Sequence, residues 1–141
     1  AATLLHAPRS FNGRTAIGSG IDFAVAQLAV GGIAAERRVI DVSGDGDNNS
    51  GRPVEYARDD AVKAKVVING LAIVNEHPAA GFLGHIQPVG GIGEYYRTRV
   101  IGGPGSFVLV IDGFDTFARA ITRKLAAEIA SADSANKVAA R

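Results

Sequence analysis

The 141-residue chain contains no cysteine, which excludes disulfides, thiolate metal sites and a cysteine nucleophile. It also contains no methionine, so we expect a processed chain or a fragment. No apolar run approaches the length of a membrane span, and no signal-peptide pattern opens the chain. The net charge is only +1, so the composition gives no indication of a nucleic-acid partner.

Apolar residues make up 47% of the chain and follow alternating helical and strand patterns. Thr15 is the expected N-cap of a first helix that ends at Gly31-Gly32. Gly18 and Gly20 inside this helix suggest that it packs closely against a strand. The later pattern predicts a strand over 38–43, a helix from Pro53 to Ile68 capped by Asn69-Gly70, a strand over 71–74, a short helix around 93–100, a strand over 106–111 and a last helix over 114–129.

Continuous apolar strands that alternate with helices are typical of a parallel sheet covered on both faces. Right-handed crossovers then give an α/β fold, a Rossmann-like three-layer sandwich with a mainly parallel sheet. Three strands make a thin sheet, and the first helix has no clear strand before it. We therefore expect an N-terminally truncated domain over residues 1–130, followed by a tail over residues 131–141.

The stretch from Arg38 to Gly51 is the most informative, because its apolar strand runs into a turn rich in aspartate, asparagine and glycine. Carboxylates at the carboxyl edge of a sheet suit a hard cation such as Mg²⁺ or Ca²⁺. A calcium loop of the EF-hand type fails, because Arg52 or Tyr56 stands where the bidentate glutamate belongs. A plain turn, whose polar side chains satisfy backbone donors, stays open as the alternative.

Two segments carry a resemblance to a known family: R-T-A-I-G-S-G-I-D-F-A from Arg14, and R-R-V-I-D-V-S-G-D-G-D-N-N-S-G from Arg37. They resemble the von Willebrand factor A domain, and more narrowly a bacterial family of uncharacterised, exported proteins with this domain. The family's metal-ion-dependent adhesion site combines a first-strand D-x-S-x-S turn, a helix-opening threonine and an aspartate-glycine turn. Thr15 matches the threonine, and Asp45-Gly46 matches the aspartate-glycine turn.

The resemblance implies that Thr15 and Asp45 are ligands of Mg²⁺, Mn²⁺ or Ca²⁺. Binding is expected to be weak or absent in this chain, because the first strand with its D-x-S-x-S motif is missing. The implied function is protein binding, in adhesion or as a scaffold, and not catalysis. The implied partner is another protein, or a companion fragment that supplies the missing strands, and an oligomer is expected.

The resemblance also implies an exported or periplasmic bacterial protein, with a cytoplasmic location left open. The sequence is also compatible with two alternative functions. One is a Rossmann-like nucleotide-binding enzyme, although Gly18-Ser19-Gly20 and Gly90 to Gly93 do not form a complete dinucleotide fingerprint. The other is a purely structural subunit of an assembly, in which a sheet edge pairs with another chain.

Overall fold

A computed structural model describes most of the central part of the chain. The described residues are 14–32, 35, 37–74, 88–112, 116, 118–119, 121–123 and 125–126. The predicted tail lies outside them, and so do Phe114, Phe117 and Ile129 of the predicted last helix. The residues of that segment that are described at 118–119, 121–123 and 125–126 are helical.

The elements follow the predicted order of helices and strands. None of the helices in the described ranges is long and apolar enough to cross a membrane. The elements are α1 (Ile17–Val30), β1 (Arg38–Gly44), α2 (Val54–Lys63), β2 (Val66–Val74), α3 (Gly91–Tyr95), a π-helical turn (Tyr96–Val100) and β3 (Val108–Asp112).

The three strands form one parallel sheet in the order β1-β2-β3. In the central strand β2 all residues from Val66 to Ile73 are buried, so both of its faces are covered. The outer strands β1 and β3 are only partly buried. The protein is thus an α/β fold with an open parallel sheet flanked by helices. This architecture is consistent with a Rossmann-like sandwich and confirms the predicted fold class.

The main core lies between one face of the sheet and the helices α1, α2 and α3 with its π-helical turn. Small side chains at Ala57 and Ala61 bring α2 close to the sheet, where both are 1% exposed. Burying one large aliphatic side chain stabilises the fold by about 1.5–3 kcal/mol. The largest contributors in this cluster are Ile21, Val54, Val66, Ile68, Ile92, Tyr96 and Val100.

The boundary between α2 and β2 was wrong in the sequence prediction, which continued the helix to Ile68. Lys65 adopts φ 60, a left-handed conformation that ends the helix. The β-branched run from Val66 to Ile68 then favours an extended backbone. Asn69 therefore does not cap a helix: it is fully buried in β2, and its Oδ1 accepts a hydrogen bond from the Phe107 N–H at 3.3 Å.

The start of α1 also differs from the prediction. Ala16, not Thr15, occupies the N-cap position, and no cap-residue side chain bonds to the first turn. The Gly18 N–H instead donates to Asn48 Oδ1 at 2.9 Å, so the acceptor comes from a residue far along the chain. The end of the helix is as predicted, with Gly31 as the C-cap and Gly32 at φ 63.

Candidate functional site

The acidic turn, which comprises residues 45–52, joins β1 to α2 at the carboxyl edge of the parallel sheet. Ligand sites of open α/β sheets lie at this edge. Three neighbours surround the turn: the N-terminus of α1, the beginning of α2, and α3 with its π-helical turn. The sequence placed Asp45 in this turn correctly, because the apolar run of β1 ends directly before it.

Backbone and side-chain hydrogen bonds hold Thr15 against the turn. The Thr15 N–H donates to Asn49 Oδ1 at 2.7 Å. In return, the Thr15 carbonyl oxygen accepts from the Asn49 N–H at 2.9 Å and from the Ser50 N–H at 3.1 Å. Thr15 therefore forms one junction with Asn49 and Ser50 of the turn.

Asn48 uses its side chain and its backbone N–H to connect three parts of the site. Its Oδ1 accepts from Gly18 of α1, and its Nδ2 donates to the Arg52 carbonyl at 3.1 Å. Its backbone N–H donates to the Tyr95 hydroxyl of α3 at 3.0 Å. For the asparagines, the plain interpretation of the turn is confirmed, because their side chains satisfy backbone donors.

Close backbone contact reinforces this junction at Gly18. A Cβ atom at Gly18 would overlap the Arg52 carbonyl oxygen, so only glycine fits. The predicted close packing is therefore real at Gly18, but its neighbour is the turn and not a strand. At Gly20 the prediction was wrong, because a Cβ there would meet nothing within 4 Å.

The aspartates of the turn behave differently from its asparagines. Within the described ranges, Asp45 and Asp47 form no hydrogen bond or ion pair. Asp22 and Asp60, in contrast, both pair with Arg52, the former at 2.7 Å. The turn thus presents carboxylates that are not neutralised by a neighbouring cationic side chain of the described structure.

The oxygen donors of the turn suit a hard cation in kind but not in number. A carboxylate at Asp45 and a hydroxyl at Thr15 are ligands that Mg²⁺ and Ca²⁺ accept. However, no group of three or more His, Cys, Asp or Glu side chains that could hold a metal occurs in the described part of the chain. Donors from elsewhere or water would therefore have to complete the coordination sphere.

Two adjacent tyrosines lie close to the turn, in the segment that the sequence predicted only as a short helix around 93–100: Tyr95 bonds to Asn48 of the turn, and Tyr96 packs against the strands. Tyr96 is 1% exposed, and its ring packs directly against Gly70. Any side chain at Gly70 would collide with the ring, because its Cβ would lie only 2.9 Å from Tyr96 Cδ1. A Cβ at Gly44 would lie 2.8 Å from the Tyr96 hydroxyl. Glycines inside strands often mark such a close approach, and this was the available sequence signal.

Burial changes the acidity of both tyrosines. It raises the pKa of the Tyr95 hydroxyl, and the negative charge of Asp47 adds to this shift. Burial also raises the pKa of the Tyr96 hydroxyl, with smaller contributions from Tyr95 and Asp45. Both side chains are therefore neutral phenols near pH 7 and can donate a hydrogen bond.

A cleft of about 740 Å³ lies on the side of the turn that faces α3. The Glu55 carboxylate pairs with Arg99 there. A hydrogen bond from the backbone N–H of Glu55 lowers the pKa of its carboxyl, and Arg99 lowers it further. The cleft is lined by residues 47–51, Pro53, Val54, Glu55, Pro88, Val89, Tyr95, Thr98 and Arg99.

The π-helical turn holds the far wall of this cleft. Arg58 of α2 donates to the Thr98 and Arg99 carbonyl oxygens at 3.0 and 3.1 Å, which satisfies backbone acceptors of the widened turn. π-helical turns occur frequently at functional sites. Within this turn Tyr96 is buried, whereas Arg99 is exposed.

A second, more open groove of about 500 Å³ lies between α1 and β1. It is lined by Thr15 and by apolar side chains that include Ile17, Ile21, Ile40 and Val42. The groove borders β1, which is the outer strand of the sheet in the described residues. The sheet therefore has one margin at which α1 and β1 share an apolar surface.

These features define an α/β protein with a polar, aspartate-bearing turn at the carboxyl edge of a parallel sheet. The chain belongs to the family described as "Protein of unknown function (DUF1194)", whose model matches residues 1–133. No match was found among curated proteins or among solved structures.

Proposed function

We propose that this chain is a protein-binding module whose docking face uses a divalent cation at the acidic turn. The observation that carries the proposal is the contrast within the turn: the side chains of Asn48 and Asn49 hydrogen-bond to the backbone and hold it, whereas Asp45 and Asp47 have no partner among the described residues. A turn held by these bonds presents its carboxylates in a fixed geometry. This favours binding, because little conformational entropy is lost when a ligand binds.

Asp45 and Thr15 are the proposed cation ligands. Mg²⁺ prefers an octahedral set of oxygen ligands and commonly keeps several waters, so two protein ligands leave positions for a partner. An acidic side chain of another protein supplies a further oxygen in this proposal. The isolated chain is then expected to bind the cation weakly, and the partner is expected to strengthen binding.

Isothermal titration calorimetry with Mg²⁺, Mn²⁺ and Ca²⁺ tests the cation site. We expect the wild-type protein to bind at least one of these cations and to gain thermal stability from it. Asp45→Asn keeps the size of the side chain but removes its charge, and we expect it to abolish binding. Asp59→Asn, on the exposed side of α2, is the matched control and should bind normally. Absence of binding to the wild-type protein would contradict the proposal.

The proposed function is binding and not catalysis. A nucleotide titration in the same calorimeter separates the two classes. Heat from nucleotide binding, without any heat from the divalent cations alone, would favour the Rossmann-like enzyme that the sequence left as an alternative.

A second candidate function is that of a structural subunit, which is favoured by the groove between α1 and β1. An added strand along the outer edge of β1 would pair with its backbone and help to cover the partly exposed Val42. We propose a companion segment or a second copy of the chain as the source of that strand. Light scattering over a dilution series should show a dimer or a larger assembly, whereas a monomer at all concentrations would rule out the self-assembled form.

A further inference from the structure

The cleft of about 740 Å³ beside the acidic turn has the size of a ligand-binding site. Asp47 lines it from the turn, and Glu55 lines it from α2. Tyr95 and Arg99 line it from α3 and its π-helical turn. Val89, which also lines the cleft, is a fully exposed apolar residue. The cleft thus offers charged groups, a hydroxyl and an apolar surface to a single occupant.

The charges of the cleft do not balance. Glu55 and Arg99 form an ion pair and neutralise each other. Asp47 is half-buried, and it forms no hydrogen bond or ion pair within the described ranges. The described residues that line the cleft therefore leave one negative charge without a counter-charge. Because a half-buried carboxylate has lost part of its hydration, an incoming cationic group is favoured there.

The Tyr95 hydroxyl lies among these charges and has a proton to donate. Burial raises the pKa of this hydroxyl, and the negative charges of Asp47 and Glu55 raise it further. The positive charge of Arg99 lowers the same pKa, so all three charged side chains are near enough to act on the hydroxyl. Its oxygen accepts the Asn48 N–H at 3.0 Å, whereas its proton has no acceptor among the described residues. The hydroxyl can therefore donate to an occupant of the cleft.

We propose that the cleft receives a lysine or arginine side chain of a partner protein, with its cationic group at Asp47 and a backbone carbonyl of the partner at the Tyr95 hydroxyl. The aliphatic part of such a side chain would pack on Val89. An acidic segment fits poorly, because its charge would be repelled by Asp47. The inference shares with the proposed function the class of partner, another protein, but the cleft needs no bound metal.

The test is a titration of the isotope-labelled chain with blocked tripeptides, followed through the amide chemical shifts in the presence of a metal chelator. We expect alanine-lysine-alanine to shift the amide signals of residues 47–51 and 95–99, which border the cleft. Alanine-glutamate-alanine should leave these signals unchanged. Shifts with neither peptide, or tighter binding of the acidic peptide, would overturn the inference.

A charge-removing variant tests the role of Asp47. Asp47→Asn keeps the size of the side chain and disturbs no bond among the described residues, so the fold should be retained. We expect its affinity for the lysine peptide to fall about three- to tenfold, as for the loss of one charged hydrogen bond. Asp59→Asn removes the same charge outside the cleft and should bind as the wild type does. Equal losses in the two variants would indicate a general charge effect and overturn the site.

A free amine distinguishes a protein segment from a small cationic ligand. Butylamine carries the ammonium group without a peptide backbone, so it should bind at least about threefold more weakly than the lysine peptide. Tyr95→Phe should weaken binding of the peptide by a similar factor and leave binding of butylamine unchanged, because the hydroxyl bonds only to the peptide carbonyl. Equal affinities of butylamine and the peptide for the wild type would overturn the assignment to a protein segment.

The outcomes also separate this inference from the proposed function. Selective binding of the lysine peptide in chelator would support the cleft even if calorimetry detects no divalent cation at the acidic turn. Cation binding that Asp45→Asn abolishes, together with no preference for the lysine peptide, would overturn the inference about the cleft alone.

Discussion

The two flanks of the acidic turn are built in opposite ways. On the closed flank, α1 meets the turn through Thr15 and Gly18, with several hydrogen bonds and no space for an added carbon atom. On the open flank, the contact of α3 with the turn includes a hydrogen bond from the Asn48 N–H to the Tyr95 hydroxyl. The remaining space on that side forms the cleft.

This difference teaches that one loop can be rigid and accessible at once. The closed flank fixes the backbone, so the aspartates need not contribute to the stability of the turn. The open flank leaves their surroundings polar and reachable. Substitutions on the closed flank should therefore act mainly on folding, and substitutions on the open flank mainly on binding.

The largest expected effect is at Gly18 on the closed flank. Gly18→Ala places a Cβ against the Arg52 carbonyl oxygen, and we expect a loss of about 3 kcal/mol in the free energy of unfolding. Gly20→Ala is the matched control in the same helix. It has free space and should stabilise the protein by up to about 1 kcal/mol. Denaturant unfolding measures both, and equal effects would contradict the close contact.

A smaller effect is expected where Asn48 joins the two flanks. Asn48→Ala removes the acceptor of the Gly18 N–H and the donor to the Arg52 carbonyl, and should cost about 2 kcal/mol. Tyr95→Phe removes one acceptor on the open flank and should cost about 1 kcal/mol or less. Denaturant unfolding measures the stability of both variants. A larger loss for Tyr95→Phe than for Asn48→Ala would contradict the difference between the two flanks.

The smallest expected effect is the pH dependence contributed by Glu55 on the open flank. Its pKa in the folded protein is below the ordinary value of 4.5, so its charge stabilises the fold above that pH, and this contribution is lost as the pH falls through the folded pKa. Glu55→Gln should therefore lose less stability on acidification, by under about 0.5 kcal/mol because the pair is partly exposed. The free energy of unfolding of the wild type and of Glu55→Gln is measured from neutral to acid pH. If the two curves ran parallel, the prediction would be wrong.

Much of the fold could be predicted because the strands are apolar runs separated by amphipathic helices. The start of β2 could not, because Ala61, Ala64 and Ile68 continue the helical period while the backbone turns at Lys65. Burial of β2 on both faces then outweighs the local helical pattern. Apolar residues at 64–70 fit both a helix and a buried strand, so only the tertiary structure decides between the two.

The site was predictable to a lesser degree. The position of Asp45 follows from the end of the apolar run in β1, whereas the joint role of Asp45 and Thr15 as ligands stays what the resemblance implies. The hydrogen bonds of Asn48 and the contact of Tyr96 with Gly44 and Gly70 could not be predicted from the sequence. Their partners are distant in the chain, so these contacts depend on how the helices and strands pack. The cation itself stays a prediction, since it concerns what binds and not how the chain folds.

The burial of β2 on both faces has a consequence for handling the protein. The segment from Val66 to Val74 has no charged residue and no proline, and it is rich in β-branched side chains. Such segments self-associate readily once they are exposed in an unfolded chain. Variants that loosen the closed flank are therefore expected to precipitate on heating, and their solubility will depend on how long this one strand stays uncovered.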